Sequence, residues 1–181
     1  MPSLYVVATP IGNMEDVTLR ALRVLSEVDL VAAEDTRVSR KLLARHEIRT
    51  PVTSYHEHNK ARQLPVLIAE LKTRNVALVT DAGSPGISDP GTELVVAAAE
   101  AGYMVVPVPG PSALTSALSV SGMPADKFVG VGFLPRKRTD RLKLLKTLAL
   151  ETRTIVAFET PHRVRSAFED INVALGNRRI T

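Results

Sequence analysis

The residues best suited to chemistry follow short apolar runs that end in turns rich in glycine and proline. The longest of these turns, residues 80–91, contains three glycines, two prolines and two aspartates. Glycine lets a backbone approach a ligand closely, and proline stiffens a loop. Because the turn joins the apolar run at residues 76–79 to a second apolar run at residues 94–99, it is typical of a strand, a binding loop and a helix.

Two more turns have the same arrangement. Residues 9–13 follow the apolar run at residues 4–8, and residues 109–113 follow the run at residues 104–108. In an open parallel sheet, ligands bind at the carboxyl ends of the strands. We therefore expect the three loops to be neighbours at that edge and to line one binding site.

Cap preferences predict where two of the helices begin. Asp89-Pro90 and Thr160-Pro161 each place an N-cap residue before a proline, and proline is favoured at the first position of a helix. We expect helices to begin at these two points.

A charged cluster, Glu34, Asp35 and Arg37, follows the second predicted strand, residues 29–33. It is consistent with a capped helix start containing a local Asp–Arg pair, and equally with part of a site. His56 and His58 lie after a weaker strand, where they could contact substrate. Zinc is disfavoured because no cysteine or HExxH spacing supports it, and we predict no metal.

The composition favours one class of fold and excludes several kinds of site. The 181 residues are 45% hydrophobic but only 4% aromatic, which is typical of aliphatic helices packed on a parallel sheet. The absence of cysteine excludes disulfides and thiol nucleophiles. Lys and Arg exceed Asp and Glu by 23 − 19 = 4, which favours an anionic partner. With no leader or membrane-length apolar run, we expect a cytoplasmic protein that does not enter a membrane.

The pattern starts again at Gly122, which predicts an N-terminal α/β domain at residues 1–122 and a second α/β domain at residues 123–181. Strands are predicted at residues 128–133 and 154–158. Between them lies the densest basic run, which includes Arg136, Lys137, Arg138 and Arg141. This run is either a solvated helix face or a phosphate-binding patch, and we favour phosphate contact.

Taken together, these motifs resemble the ribosomal RNA small-subunit methyltransferase I family, a branch of the tetrapyrrole methylase superfamily. The similarity covers the whole chain. The motifs that match in order and spacing are residues 9–13, 33–37, 56–59, 81–91, 109–113, 132–135 and 161–163. The resemblance implies a mostly parallel α/β lobe plus a second lobe, a homodimer, S-adenosylmethionine held in the cleft, and 2′-O-methylation of a cytidine ribose in the decoding region of small-subunit ribosomal RNA.

The resemblance also assigns residues. The cofactor loops fall on Pro10, Ile11, Asp81, Ala82, Gly83, Ser84, Pro85, Gly86, Ile87, Ser112, Ala113, Phe158 and Glu159. The superfamily's Gly-Asp-Pro becomes Thr80-Asp81-Ala82 here, which keeps the aspartate. The family's second lobe continues beyond residue 181, so we expect an incomplete second lobe, weakened cofactor affinity and poor methyl transfer.

For catalysis we select Glu34, Asp35 and Arg37, although His56 or His58 could also be the base. RNA contacts are assigned to Arg136, Lys137, Arg138, Arg141, His162 and Arg163. The partner would be small-subunit ribosomal RNA or the assembled small subunit. Two alternatives stay open at this point: a methyltransferase of the same fold acting on a tetrapyrrole or another small molecule, and a non-catalytic RNA-binding protein.

Overall fold

The computed structural model describes residues 2–181, in which strands and helices alternate. The strands are β1 (Ser3–Val7), β2 (Leu30–Ala33), β3 (Val52–Ser54), β4 (Val76–Val79), β5 (Met104–Val108), β6 (Phe128–Phe133) and β7 (Thr154–Phe158). The helices are α1 (Leu19–Glu27), α2 (Thr36–Arg45), α3 (Lys60–Glu70), α4 (Thr92–Glu100), α5 (Ala113–Ser121), α6 (Arg138–Thr147) and α7 (Val164–Leu175).

The chain forms two compact units, which divide between Ala113 and Leu114. The sequence pattern places the boundary after Gly122 instead, at the end of α5. The difference concerns which unit α5 belongs to.

The first unit is built on one parallel sheet with the strand order β3-β2-β4-β1-β5. The central strand β4 is buried at all four positions. Its residues alternate between two cores: Ala77 and Val79 pack with α1 and α2, whereas Val76 and Leu78 pack with α3 and α4. Helices therefore cover both faces, as a fully buried parallel strand requires. The predicted parallel α/β class is confirmed.

The second unit contains the parallel pair β6–β7. Helices α6 and α7 pack against each other, and the buried residues Leu134, Leu145 and Ala167 form the centre of a small core. The bounds predicted for both strands agree with the structure.

Both cap predictions are wrong. Helix α4 begins at Thr92, after Gly91, whose φ of 141° lies outside the range of ordinary residues. The preceding Asp89 is half-buried and continues the loop. Helix α7 begins at Val164, because Thr160 instead closes a turn in which its carbonyl accepts the N–H of Arg163 (3.0 Å). Among residues 2–181, no helix is both long and apolar enough to cross a membrane.

Candidate active site

The three glycine- and proline-rich loops of the first unit meet at the carboxyl edge of its sheet, as predicted, because β4, β1 and β5 are adjacent. Thr9 and Gly83 form an antiparallel bridge in which each N–H donates to the other carbonyl, at 2.9 and 3.0 Å. The Thr9 hydroxyl also donates to the Thr80 carbonyl (3.0 Å). These hydrogen bonds hold the loops after β1 and β4 together at the carboxyl edge of the sheet, where ligands bind in parallel sheets.

Gly83 lies where all three loops converge. Its φ is +82°, and a Cβ added there would lie 3.6 Å from Ile11 Cγ2 and 3.9 Å from the Pro111 carbonyl oxygen. Residues from the β1, β4 and β5 loops therefore surround one glycine. A side chain at this position would be strained by the backbone and would fill space between the loops.

The rest of the loop at residues 80–91 is held in unusual backbone conformations. Ser88 has a φ of +63°, which is uncommon for a residue other than glycine. A Cβ on Gly91 would lie 2.9 Å from Leu78 Cδ2, so the loop closes directly onto the core. Ile87, directly before Ser88, is 57% exposed. Strained backbone of this kind is concentrated at ligand-binding and catalytic sites.

Two carboxylates, those of Asp81 and Glu34, bridge the ends of β2 and β4. The Asp35 N–H donates to Asp81 Oδ1 (3.0 Å), and the Asp81 N–H donates to Glu34 Oε2 (3.4 Å). Burial raises the pKa of Glu34, and the nearby charges of Asp81, Asp89 and Asp35 raise it further, against the opposing effect of the Asp81 N–H. Burial and then Asp81 likewise raise the pKa of Asp89. The edge is therefore an anionic environment that favours a cation or a proton.

Asp35 differs from its neighbour Glu34. It caps α2 by accepting the Arg37 N–H (2.8 Å), and the Arg37 Nη2 donates to its Oδ2 (2.6 Å). These side-chain and backbone hydrogen bonds from Arg37 lower the pKa of Asp35 to about 2. The local Asp–Arg pair expected as one of the two interpretations is thus present. Of the cluster proposed from sequence, Glu34 is the member suited to exchanging a proton.

The loop after β3 is organised by Asn59. Its side-chain oxygen accepts the His56 N–H (2.8 Å), and its amide nitrogen donates to Ser54 Oγ (2.9 Å). The rings of His56 and His58 lie 6.0 Å apart. Since β3 neighbours β2, this loop flanks the carboxylates at the same edge. No group of three or more residues able to hold a metal ion occurs within residues 2–181.

In the second unit, β7 ends at Phe158, and Glu159 follows it. The Phe158 ring lies 5.4 Å from that of Phe133. Glu159 Oε1 accepts the Thr160 N–H (2.7 Å) and pairs with Arg163, while Glu159 Oε2 is buried without a hydrogen-bond partner in the described part of the chain. A buried carboxylate oxygen without a donor is costly. Glu159 is therefore a fixed acceptor suited to a ligand donor.

The basic run of the second unit does not form one exposed patch. Arg141 is only 4% exposed, and its guanidinium donates to Asp170 (2.6 Å) and to the Pro135 carbonyl (3.1 Å). Arg138 also donates to Asp170 (2.8 Å). The assignment of Arg141 to RNA contact does not fit this geometry, because its charge is used to hold α6 against α7. Arg163 is similarly engaged with Glu159, which leaves Arg136, Lys137 and His162 exposed.

Sequence reasoning gave Asp89 only the role of a helix cap and did not single out Asp170. Asp89 could have been found from its place in the same loop as Asp81. Asp170 lies on the same face of α7 as Ala167, Ile171 and Ala174, and those three residues pack in the core. A lone acid in an apolar helical stripe indicates a buried partner of opposite charge.

Comparison with known proteins decides the family. The model of the Tetrapyrrole (Corrin/Porphyrin) Methylases matches residues 3–180. The chain belongs to the tetrapyrrole methylase family. The resemblance found in the motifs is confirmed at the level of the branch as well: relatives named ribosomal RNA small subunit methyltransferase I are 51% identical over 180 residues in Synechocystis, 49% over 181 in Thermotoga maritima and 48% over 177 in Escherichia coli O157:H7.

These relatives differ in how much of their length the chain covers. Alignments include 97–99% of this chain, but 64% of the Synechocystis relative, 62% of the Escherichia coli relative and 81% of the Thermotoga relative. The chain thus spans less than two thirds of the length of the Synechocystis and Escherichia coli relatives.

Two solved structures are similar to this one in fold. Uroporphyrin-III-C-methyltransferase from Thermus thermophilus superposes with a TM-score of 0.67 at 24% identity, covering 96% of this chain and 74% of that one. Diphthine synthase gives 0.71 at 15% identity, covering 96% and 72%. At these identities the likeness concerns the fold.

Proposed function

We propose that the chain contributes to an S-adenosylmethionine-dependent enzyme that methylates a cytidine 2′-hydroxyl in the decoding region of small-subunit ribosomal RNA. The observation that carries the proposal is the convergence of three loops on Gly83, beside the carboxylates Glu34 and Asp81, in a chain whose relatives bear the name of an rRNA methyltransferase. The RNA substrate and the ribose position are inferred from the branch.

The residues present fit the proposed cofactor. S-adenosylmethionine is cationic at its sulfonium and its amino group, and the carboxylates of Glu34, Asp81 and Asp89 form an anionic edge. The backbone around Gly83 allows close approach. When bound, the cofactor supplies an activated methyl group. We assign its binding to the loops of Pro10 and Ile11, Asp81–Ile87, and Ser112 and Ala113, and the branch also implies Phe158 and Glu159.

The carboxylates divide the work of proton transfer and positioning. Burial raises the pKa of Glu34 above its ordinary value, which makes its carboxylate a better proton acceptor, so we assign it the proton of the attacking 2′-hydroxyl. Asp35, held by Arg37, stays ionised and fixes the start of α2. Asp81 joins the two strands by accepting the Asp35 N–H and donating its own N–H to Glu34.

Partners are proposed on the same basis. Arg136, Lys137 and His162 are exposed and available to RNA, and Arg138 is 67% exposed despite its pair with Asp170. We infer that the substrate is the rRNA or the assembled small subunit, that the working enzyme is a homodimer, and that it acts in the cytoplasm. Each of these follows from the branch to which the relatives belong.

The test is transfer of a labelled methyl group from S-adenosylmethionine to purified small subunits, followed by nuclease mapping to base or ribose. We expect label on one cytidine ribose. Glu34→Gln should lower the single-turnover rate by roughly 10²-fold or more, as for loss of a general base. The matched control is Glu15→Gln, on an exposed residue at the same sheet edge.

Other results would overturn parts of the proposal. Label on a base, or transfer to a tetrapyrrole and not to RNA, would reject the ribose assignment. A normal rate in Glu34→Gln would reject Glu34 as the base. Failure of a version as long as its relatives to bind S-adenosylmethionine in calorimetry would leave the non-catalytic RNA-binding alternative.

A further inference from the structure

Helix α2 (Thr36–Arg45) presents a basic stripe on its exposed face. Four residues at spacings of i, i+3, i+4 and i+8 are all exposed: Arg37, Arg40, Lys41 and Arg45. The buried face carries Ser39, Leu42 and Leu43. No acidic residue occurs within the helix. The stripe is therefore a continuous line of positive charge on an amphipathic helix that is otherwise packed against the core.

Three of the four charges have no partner. Arg37 pairs with Asp35, but Arg40, Lys41 and Arg45 make no ion pair or side-chain hydrogen bond with any residue in the range 2–181. Elsewhere in the first unit, Arg23 pairs with Glu27 and Arg74 with Glu70, whereas Arg20 and Arg62 are exposed without an ion pair among residues 2–181. The stripe differs from those isolated charges because its three unpaired residues lie on one exposed face of one helix.

Folding does not account for the stripe. Like charges at i and i+4, such as Arg37 with Lys41 and Lys41 with Arg45, destabilise a helix. Positive charge in the first turn also opposes the helix dipole, and Arg37 lies there. Only Arg45, in the last turn, has a favourable position. Because these charges lower the stability of the helix, the stripe indicates a role in binding rather than in folding.

The position of α2 links the stripe to the candidate site. The helix begins directly after Asp35, whose N–H donates to Asp81. Its 10 residues extend about 15 Å from that edge. Beside its far end lies an open groove of about 360 Å³, lined by Arg40 and Arg49 above an apolar floor that includes Leu43 and Ile48. The positive surface therefore runs from the carboxylates to a groove.

We propose that this stripe, Arg40, Lys41 and Arg45 with Arg49 at the groove, binds the phosphate backbone of the RNA strand that carries the target nucleotide. The inference rests on the proposed function and deepens it by assigning the RNA path on the first unit. The patch predicted from sequence lies on the second unit, where Arg141 and Arg163 are engaged internally.

The chemistry of the stripe favours RNA over a protein partner. The centre of a protein interface is apolar and depleted of charged residues. The exposed face of α2 has Ala44 as its one apolar residue within the helix and no aromatic side chain. Evenly spaced guanidinium and ammonium groups along a line instead match the repeated charges of a nucleic acid backbone.

The experiment measures binding of a fluorescein-labelled oligouridylate to this chain by anisotropy, across a range of KCl concentrations. The test variant is Arg40→Gln, Lys41→Gln, Arg45→Gln. Each lost phosphate contact lowers the slope of log K against log salt by about 0.7 for a single strand, so the slope should fall by about 2 and binding at low salt should weaken roughly ten-fold or more.

The matched control is Arg20→Gln, Arg62→Gln, Lys72→Gln. It removes the same charge from exposed residues of the same unit outside α2. We expect a slope close to that of the unaltered chain. An equal fall in both variants would show that diffuse charge is responsible, and an unchanged slope in the α2 variant would reject the stripe.

Calorimetry with S-adenosylmethionine separates this inference from the proposed function. The α2 variant should bind the cofactor as the unaltered chain does. If neither protein binds it while the slope still falls, the assignment of cofactor binding to this chain fails and the RNA surface stands. If both bind it and the slope does not change, the RNA surface alone is rejected. Circular dichroism confirms that each variant is folded.

Discussion

Two adjacent carboxylates, Glu34 and Asp35, have opposite environments. Asp35 receives three kinds of donor from Arg37: the backbone N–H, Nε and Nη2. Glu34 receives one backbone N–H at 3.4 Å and lies among other carboxylates. The same peptide segment therefore holds one carboxylate ionised as a cap and leaves its neighbour ready to take up a proton. A sequence shows the two side chains but not the partners that separate their roles.

This contrast predicts that Glu34→Gln stabilises the fold at neutral pH. Because the pKa of Glu34 is raised above 4.5 in the folded state, the folded protein binds a proton more tightly there than the unfolded chain does. Stability then falls as pH rises through the interval between 4.5 and the raised pKa. The glutamine variant, which does not ionise, should have the higher free energy of unfolding at pH 7 by urea denaturation.

The advantage of the glutamine should disappear below pH 4.5, where the carboxyl is protonated in both states. Asp35→Asn provides the contrast, because Asp35 has a lowered pKa and its charge stabilises the folded state. That variant should be less stable at neutral pH. A glutamine variant less stable than the parent at pH 7 would show that the charge of Glu34 is compensated in the folded protein.

At the scale of elements, the pair of α6 and α7 depends on Asp170. Burial raises the pKa of this carboxyl, but hydrogen bonds from Arg141 and then Arg138 outweigh burial and lower it overall. Asp170 is 2% exposed and Arg141 is 4% exposed. Their ion pair is therefore among the few buried polar contacts of the second unit, beside a small apolar core.

We expect Arg141→Leu to lower the free energy of unfolding of the second unit by about 3 kcal/mol, because it leaves a buried carboxylate with one partner on the surface. Arg141→Leu with Asp170→Leu should recover most of this loss. Denaturation followed by circular dichroism measures both. The deficit of the single variant should narrow as pH falls below 3.8, where Asp170 takes up a proton in the unfolded chain.

Sequence predicted the strands better than the helix starts, for a physical reason. Strands β4, β5, β6 and β7 are continuous apolar runs bounded by turn residues, and their bounds agree with the structure. The start of α4 depends instead on Gly91 closing onto Leu78, a contact that local cap preferences do not include. Likewise, Arg141 belongs to a basic run, but its partner Asp170 lies 29 residues away. Local sequence patterns therefore predict the loops. Which charges are exposed depends on pairing between residues far apart in the sequence.

At the scale of the whole molecule, the two units have unequal cores. In the first, strands β2 and β4 are buried at three and four positions respectively, between helices on both faces. In the second, neither β6 nor β7 has a buried residue. A two-stranded sheet is marginally stable in water. Phe133 and Phe168 of this unit are about half-exposed, at 51% and 48%.

Native-state hydrogen exchange should reflect this difference. Amides of β4 should exchange through global unfolding of the first unit, whereas those of β6 and β7 should exchange at least about ten-fold faster through local opening. If Phe158 and Glu159 hold the cofactor, saturating S-adenosylmethionine should slow the exchange of the β7 amides in particular. A ligand that binds only the folded state stabilises that state. If the ligand slows amide exchange only in the first unit, those two residues do not belong to the cofactor site. Equal protection of β4 and β6 amides without ligand would show that the second unit is as stable as the first.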